Sequence, residues 1–138
     1  LNVSPVSFQE LLAQSDYISI HCPLTQETHH LFDRQIFEQM KPTVIFINTA
    51  RGAIVKEEDM VAFLREHEFA MAGIDVTETE PVPTDHPLLK LNNAVVTPHV
   101  AWYSVESVLS LQRKVAEEVA GVLSGQPPRH PVNHPVSK

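Results

Sequence analysis

The spacing of apolar positions changes several times along the chain, and each change predicts an element. Ser7 and Glu10 stand at the S-x-x-E spacing of a capping box ahead of Leu11 and Leu12, which predicts a first helix. YISIH, residues 17–21, reads as a short strand with two isoleucines on one face, and Pro23 ends its pairing. After a polar stretch carrying Thr25, Thr28, His29 and His30, Asp33 can cap a helix whose Ile36, Phe37 and Met40 face a core, with Lys41 and Pro42 closing it. VIFIN, residues 44–48, is almost continuously apolar, the pattern of a central strand covered by helices on both faces. TARG then turns the chain into a helix from Lys56 to Glu66 that offers Met60, Val61 and Leu64 to the sheet. A strand over Ala70 to Val76 leads into a segment bearing Pro81, Pro83 and Pro87, and a fourth short strand covers Ala94 to Thr97. From Ser104 onward, Val105, Val108, Leu109, Val115, Ala116, Val119 and Leu123 recur at helical spacing around the polar Gln112. Gly125 can end that helix in a left-handed conformation, and Pro127 and Pro128 prevent its resumption.

Strands alternating with helices predict an α/β fold with a mostly parallel sheet. In such a sheet the turns after successive strands open onto one edge, where ligands bind. Three polar residues fall on or near such turns: Arg51 in VIFINTARG, Glu80 in MAGIDVTETEP and His99 in NAVVTPH. A cation, a carboxylate and an imidazole could therefore meet across one cleft, hold an anionic substrate and move a proton.

Composition narrows the classes. With 43% hydrophobic residues in 138, the chain can bury a real core. A net charge of −7 and the lack of a Lys/Arg run argue against nucleic-acid binding. Cys22 is the single cysteine, so no internal disulfide can form and a reducing compartment, the cytoplasm, is expected. Cys22 has no second thiol and His29 and His30 have no ligand set, so no metal site is expected. Neither a signal peptide nor an apolar run of membrane-spanning length is present, and no membrane role is expected. The chain opens with Leu1 rather than Met and is expected to be part of a longer protein. No G-x-G-x-x-G occurs, and Gly52 and Gly73 are isolated, so these residues do not supply the pyrophosphate-binding turn of a dinucleotide fold.

The run HCPLTQETHHLFDRQIFEQMKPTVIFINTARGAIV, the strand GIDVTETEP and the segment TPHVAWYS resemble the NAD-binding domain of the D-isomer-specific 2-hydroxyacid dehydrogenases, from about Ser7 to Asn133. AWYS and HHL are most similar to the branch that includes the C-terminal binding proteins. The resemblance implies a Rossmann-like sheet, here its second mononucleotide-binding half plus a C-terminal helix. Residues 1–125 would be a partial NAD-binding domain and 126–138 a tail, loosely ordered unless it packs on another domain.

The same resemblance assigns roles. Arg51 matches the substrate-binding arginine, Glu80 the carboxylate of a proton relay and His99 the acid/base histidine. Asp75 matches an acidic residue near the nicotinamide, Thr49 and Ala50 a turn that approaches the cofactor, and His21, Cys22 and Pro23 a cofactor-side strand end. Trp102 matches a residue lying against the substrate side chain. Thr43 departs from a usual glycine and Thr77 from a commonly aromatic residue, which points to a different turn and altered packing behind Glu80. A guanidinium can clamp a carboxylate through two parallel hydrogen bonds, and an imidazolium can protonate a keto oxygen as hydride reaches its carbon. The expected cofactor is NAD, with NADP open, the expected substrate a small 2-hydroxy or 2-keto acid, and the expected assembly a homodimer. The competing class is a dinucleotide-sensing interaction module like the corepressors of that branch, which keep the same three residues.

Overall fold

In a computed structural model, which describes residues 3–133, the Ser7 hydroxyl accepts from the Glu10 amide at 3.2 Å and the Glu10 carboxylate accepts from the Ser7 amide at 3.0 Å. This reciprocal cap starts α1 (Phe8–Gln14). The first unit continues through β1 (Tyr17–Ile20), α2 (Arg34–Phe37), β2 (Ile45–Asn48), α3 (Glu57–Glu66), β3 (Met71–Ile74) and β4 (Ala94–Val96). Two 3-10 turns, Gly52–Ile54 and Pro87–Lys90, lie ahead of α3 and β4. All pairings are parallel in the order β1-β2-β3-β4, so the predicted parallel α/β sheet is present.

Register explains the core. Ile18, Phe46, Ala72 and Ala94 form one row across the sheet, and Ile20, Asn48, Ile74 and Val96 form the next row on the same face. Against these rows pack Leu12, Phe37, Met60, Phe63 and Leu64. Phe46 meets Phe32 and Phe37 edge-on, with ring centroids 5.1 and 5.2 Å apart, a geometry that adds about 0.5–1.5 kcal/mol per pair beyond area burial.

Within the first unit the helices cover one face of the sheet, where the apolar run of β2 predicts cover on both. On the opposite face Tyr17, Met71 and Val95 are exposed, and Ile45 and Ile47 only half-buried. Each right-handed crossover to the next strand on the same side returns its helix to the same face, so successive helices leave the other face open. Helix α2 is shorter than its apolar pattern predicts: beyond Phe37 the amides of Gln39 and Met40 bond to the carbonyls of Ile36 and Phe37, a tighter winding that still buries Met40.

The chain divides into two compact units between Ala101 and Trp102, and each is described by itself. The second holds α4 (Val105–Leu123), capped by reciprocal bonds between Ser104 and Ser107. Past its end Gly125 takes φ 82°, as its placement predicts. None of the α4 residues is buried. Residues 134–138 of the expected tail lie outside the described residues. Among the described residues no helix is long and apolar enough to cross a membrane.

Candidate active site

The His99 turn is built from the base of β3. Asp75, 5% exposed, follows the strand, and its Oδ1 accepts from the Thr97 hydroxyl and from the Val100 amide at 2.9 Å. Its Oδ2 accepts from the Ala101 amide at 2.9 Å, and its backbone carbonyl accepts from the His99 amide at 2.8 Å. Burial pushes the Asp75 carboxyl up, but the hydrogen bonds from Thr97, Ala101 and Val100 outweigh it and hold the group below the usual carboxylate range. His99 sits inside this net at φ 54°, in the left-handed region that a non-glycine residue occupies only where its surroundings hold it.

Glu80 reaches His99 from the loop after β3. Its Oε2 lies 2.9 Å from His99 Nδ1, and its Oε1 accepts from the Thr77 amide at 3.2 Å. The bond to His99, foremost, holds the Glu80 carboxyl below its ordinary range against the effect of burial. An ionised carboxylate only accepts, so the hydrogen-bond network assigns a proton to Nδ1. The departure at Thr77 has a local use: its buried hydroxyl donates to the Thr79 carbonyl at 2.9 Å and tightens the loop that carries Glu80. Thr43 lies in a turn closed by the Val44 amide on the Lys41 carbonyl. Asp75, Thr77, Glu80, Pro81, Thr97 and His99 line a cavity of about 580 Å³.

Arg51 stands on a turn held from beneath by Asn48, 1% exposed at the end of β2. The Asn48 side-chain amide donates to the Arg51 carbonyl at 2.9 Å and its oxygen accepts from the Ala50 amide at 3.0 Å. The exposed Arg51 guanidinium donates to the Ala50 carbonyl at 2.6 Å. His21, Cys22, Pro23, Thr49, Ala50 and Arg51 line a second cavity of about 480 Å³, and the His21 ring lies 2.9 Å from the Ser19 hydroxyl. A third, of about 370 Å³, shares Thr49 with the Arg51 cavity and Asp75 and Thr97 with the His99 cavity. Glu80 and His99 are thus in contact, while Arg51 occupies the adjoining end of the row with the expected cofactor-side residues. Trp102 begins the second unit, half-exposed, its ring edge-on to Tyr103 at 5.6 Å.

Asn48 and Thr97, which build these turns, were not among the residues singled out from the sequence. The signal for Asn48 is an asparagine ending an apolar run directly before a turn, where its side chain can bond to nearby backbone. Among the described residues no cluster of histidine, cysteine or acidic side chains could hold a metal ion.

The carboxyl-end turns of a parallel sheet thus carry an imidazole–carboxylate pair beside a row of adjoining cavities. The chain belongs to the D-isomer specific 2-hydroxyacid dehydrogenase family, whose NAD binding domain matches residues 1–101. It is 41% identical over 138 residues to a glyoxylate reductase of Korarchaeum cryptofilum, covering 100% of this chain and 42% of that protein. Among solved structures, the TT0316 protein from Thermus thermophilus is 43% identical with a TM-score of 0.87, over 93% of this chain and 41% of that one. A D-lactate dehydrogenase with NAD+ from Lactobacillus jensenii is 28% identical with a TM-score of 0.83, over 94% of this chain and 43% of that one. The chain spans about two fifths or less of the length of the curated relatives it matches.

Proposed function

We propose that this chain is part of an oxidoreductase that transfers a hydride between NAD(H) and a small D-2-hydroxy or 2-keto acid. The observation that carries the reading is the 2.9 Å contact between Glu80 and His99 Nδ1 at the carboxyl edge of the sheet. When bound, the nicotinamide supplies the hydride. The fit to that group rests on the slot formed by Ile47, Gly73, Val95 and Thr49, which is apolar and has no side chain at Gly73, flanked by the short residues Thr49 and Ala50 and the strand end His21, Cys22 and Pro23. Asp75 borders the slot.

Arg51 holds the substrate carboxylate in this reading. As the carbonyl carbon is reduced, His99 Nε2 delivers a proton to the keto oxygen; in the reverse direction it takes that proton from the hydroxyl. Glu80, on Nδ1, keeps the ring oriented through both steps. Trp102 contributes to the wall around the substrate side chain. The NAD-binding domain runs to residue 125 in the full-length protein, the phosphate cradle comes from elsewhere in that protein, and the assembly is a cytoplasmic homodimer. Sedimentation showing one monomer mass over a wide concentration range would remove the dimer.

Steady-state reduction of glyoxylate and other small 2-keto acids by NADH, repeated with NADPH, tests the function in the full-length protein. His99→Ala is expected to lower kcat by about a hundredfold or more, the usual scale of a lost acid/base group. Unchanged turnover would rule His99 out as the proton donor. The interaction-module reading has less support, since the relatives named above are a reductase and a dehydrogenase. Strong partner capture without turnover of any 2-keto acid would restore it.

A further inference from the structure

The Glu80 loop is docked on a buried acid that the proposed chemistry does not use. Glu57, the first residue of α3 and 7% exposed, accepts at Oε1 from the Glu78 amide at 2.6 Å. In return the Glu57 amide donates to Glu78 Oε1 at 2.9 Å. The other carboxylate oxygen of Glu57 lies 3.1 Å from His86 Nε2, and that ring accepts from the Leu88 amide at Nδ1, which assigns its proton to Nε2. Glu78 Oε2 in turn lies 3.3 Å from His30 Nε2. Consecutive amides, Thr77 and Glu78, therefore donate to two different carboxylates, Glu80 on one side and Glu57 on the other. Gly52 closes the assembly: a Cβ there would lie 2.1 Å from the Thr77 carbonyl, so the turn after Arg51 and the start of the Glu80 loop are packed backbone to backbone.

We propose that Glu57, held by His86, is a positioning residue for the Glu80–His99 pair: its carboxylate fixes the Glu78 amide and so sets the point from which Glu80 reaches the histidine. The inference rests on the reading of Glu80 as the carboxylate of the proton relay. A buried carboxylate shared between a backbone amide and a ring is a costly group to keep, because burial works against its charge, and the docking of this loop gives it a use.

The test is a double-mutant cycle in the full-length protein with NADH and glyoxylate. Glu57→Gln keeps the shape but offers one acceptor where two are needed. It is expected to lower kcat on the order of ten- to a hundredfold, as a misplaced catalytic group does, with KM and the NADH dissociation constant unchanged. In a Glu80→Gln background the same substitution should lower kcat no further. An unchanged kcat for Glu57→Gln, or a loss that multiplies in full with that of Glu80→Gln, would overturn the proposal. A Glu80→Gln variant that retains full turnover would instead sink the relay reading itself, and this inference with it. If Glu57→Gln does not fold, His86→Gln carries the same test, with a smaller loss in the same direction expected.

Discussion

The Arg51 and His99 turns of the first unit are held by different chemistry. The Arg51 turn rests on Asn48, a neutral side chain that makes one bond to each of two backbone groups. The His99 turn rests on Asp75, a charged side chain that gathers a hydroxyl and two amides into one net. Asn48 occupies a core row of the sheet, where burying a charge would be expensive, and an amide satisfies one donor and one acceptor at once. Asp75 lies just past the strand, where three donors converge and only a group with acceptors alone can serve all of them. The left-handed backbone at His99 needs the stronger support.

That contrast can be broken at several points. The largest effect is expected from Asp75→Ala, which leaves the Val100 and Ala101 amides and the Thr97 hydroxyl without their acceptor; a loss of about 3 kcal/mol or more is expected in urea denaturation. A loss under about 1 kcal/mol would show that the net does not hold the turn. Gly52→Ala is next, at about 1–3 kcal/mol, because its Cβ would meet the Thr77 backbone, which has no flexible end to give way. Gly73→Ala, whose Cβ meets only Ile47 at 3.9 Å, is the matched control and should change the urea midpoint little. Asn48→Ala should cost about 1–2 kcal/mol, less than Asp75→Ala because the lost bonds are neutral.

Acid separates the two turns without a large structural change. Asp75 and Glu80 both have carboxyls held below their ordinary range in the folded protein. Such groups contribute stability that is fully present above their unfolded values, about 4, and is lost as pH falls through the lower folded values. Urea midpoints measured downward from pH 5 should fall in the wild type and in Asn48→Ala alike. They should fall less steeply in Asp75→Asn. Equal slopes in all three would contradict the charged support of the His99 turn.

Much of this frame was legible from local pattern. The Ser7–Glu10 cap, the four strands, the stop at Gly125 and the placing of Arg51, Glu80 and His99 on post-strand turns all follow from spacings of a few residues. What was not legible joins residues far apart in the chain. Asp75 meets Val100 and Ala101, and Glu57 meets Glu78, across separations that no helical or strand period reports. The early end of α2 is a local exception, since its apolar spacing is equally satisfied by the tighter winding that follows Phe37.

The sequence by itself determined the order of the strands and helices, the parallel α/β class and the placing of Arg51, Glu80 and His99 on or near post-strand turns, because hydrophobic period and capping chemistry act within one or two turns of chain. Only the tertiary structure decided that the helices of the first unit gather on one face of its sheet, that Glu80 pairs with His99 while Arg51 lines a neighbouring cavity, and that Asn48 and Asp75 divide the support of the turns. Those outcomes depend on strand register and crossover hand, which bring distant backbone amides to particular carboxylates only after the sheet has formed.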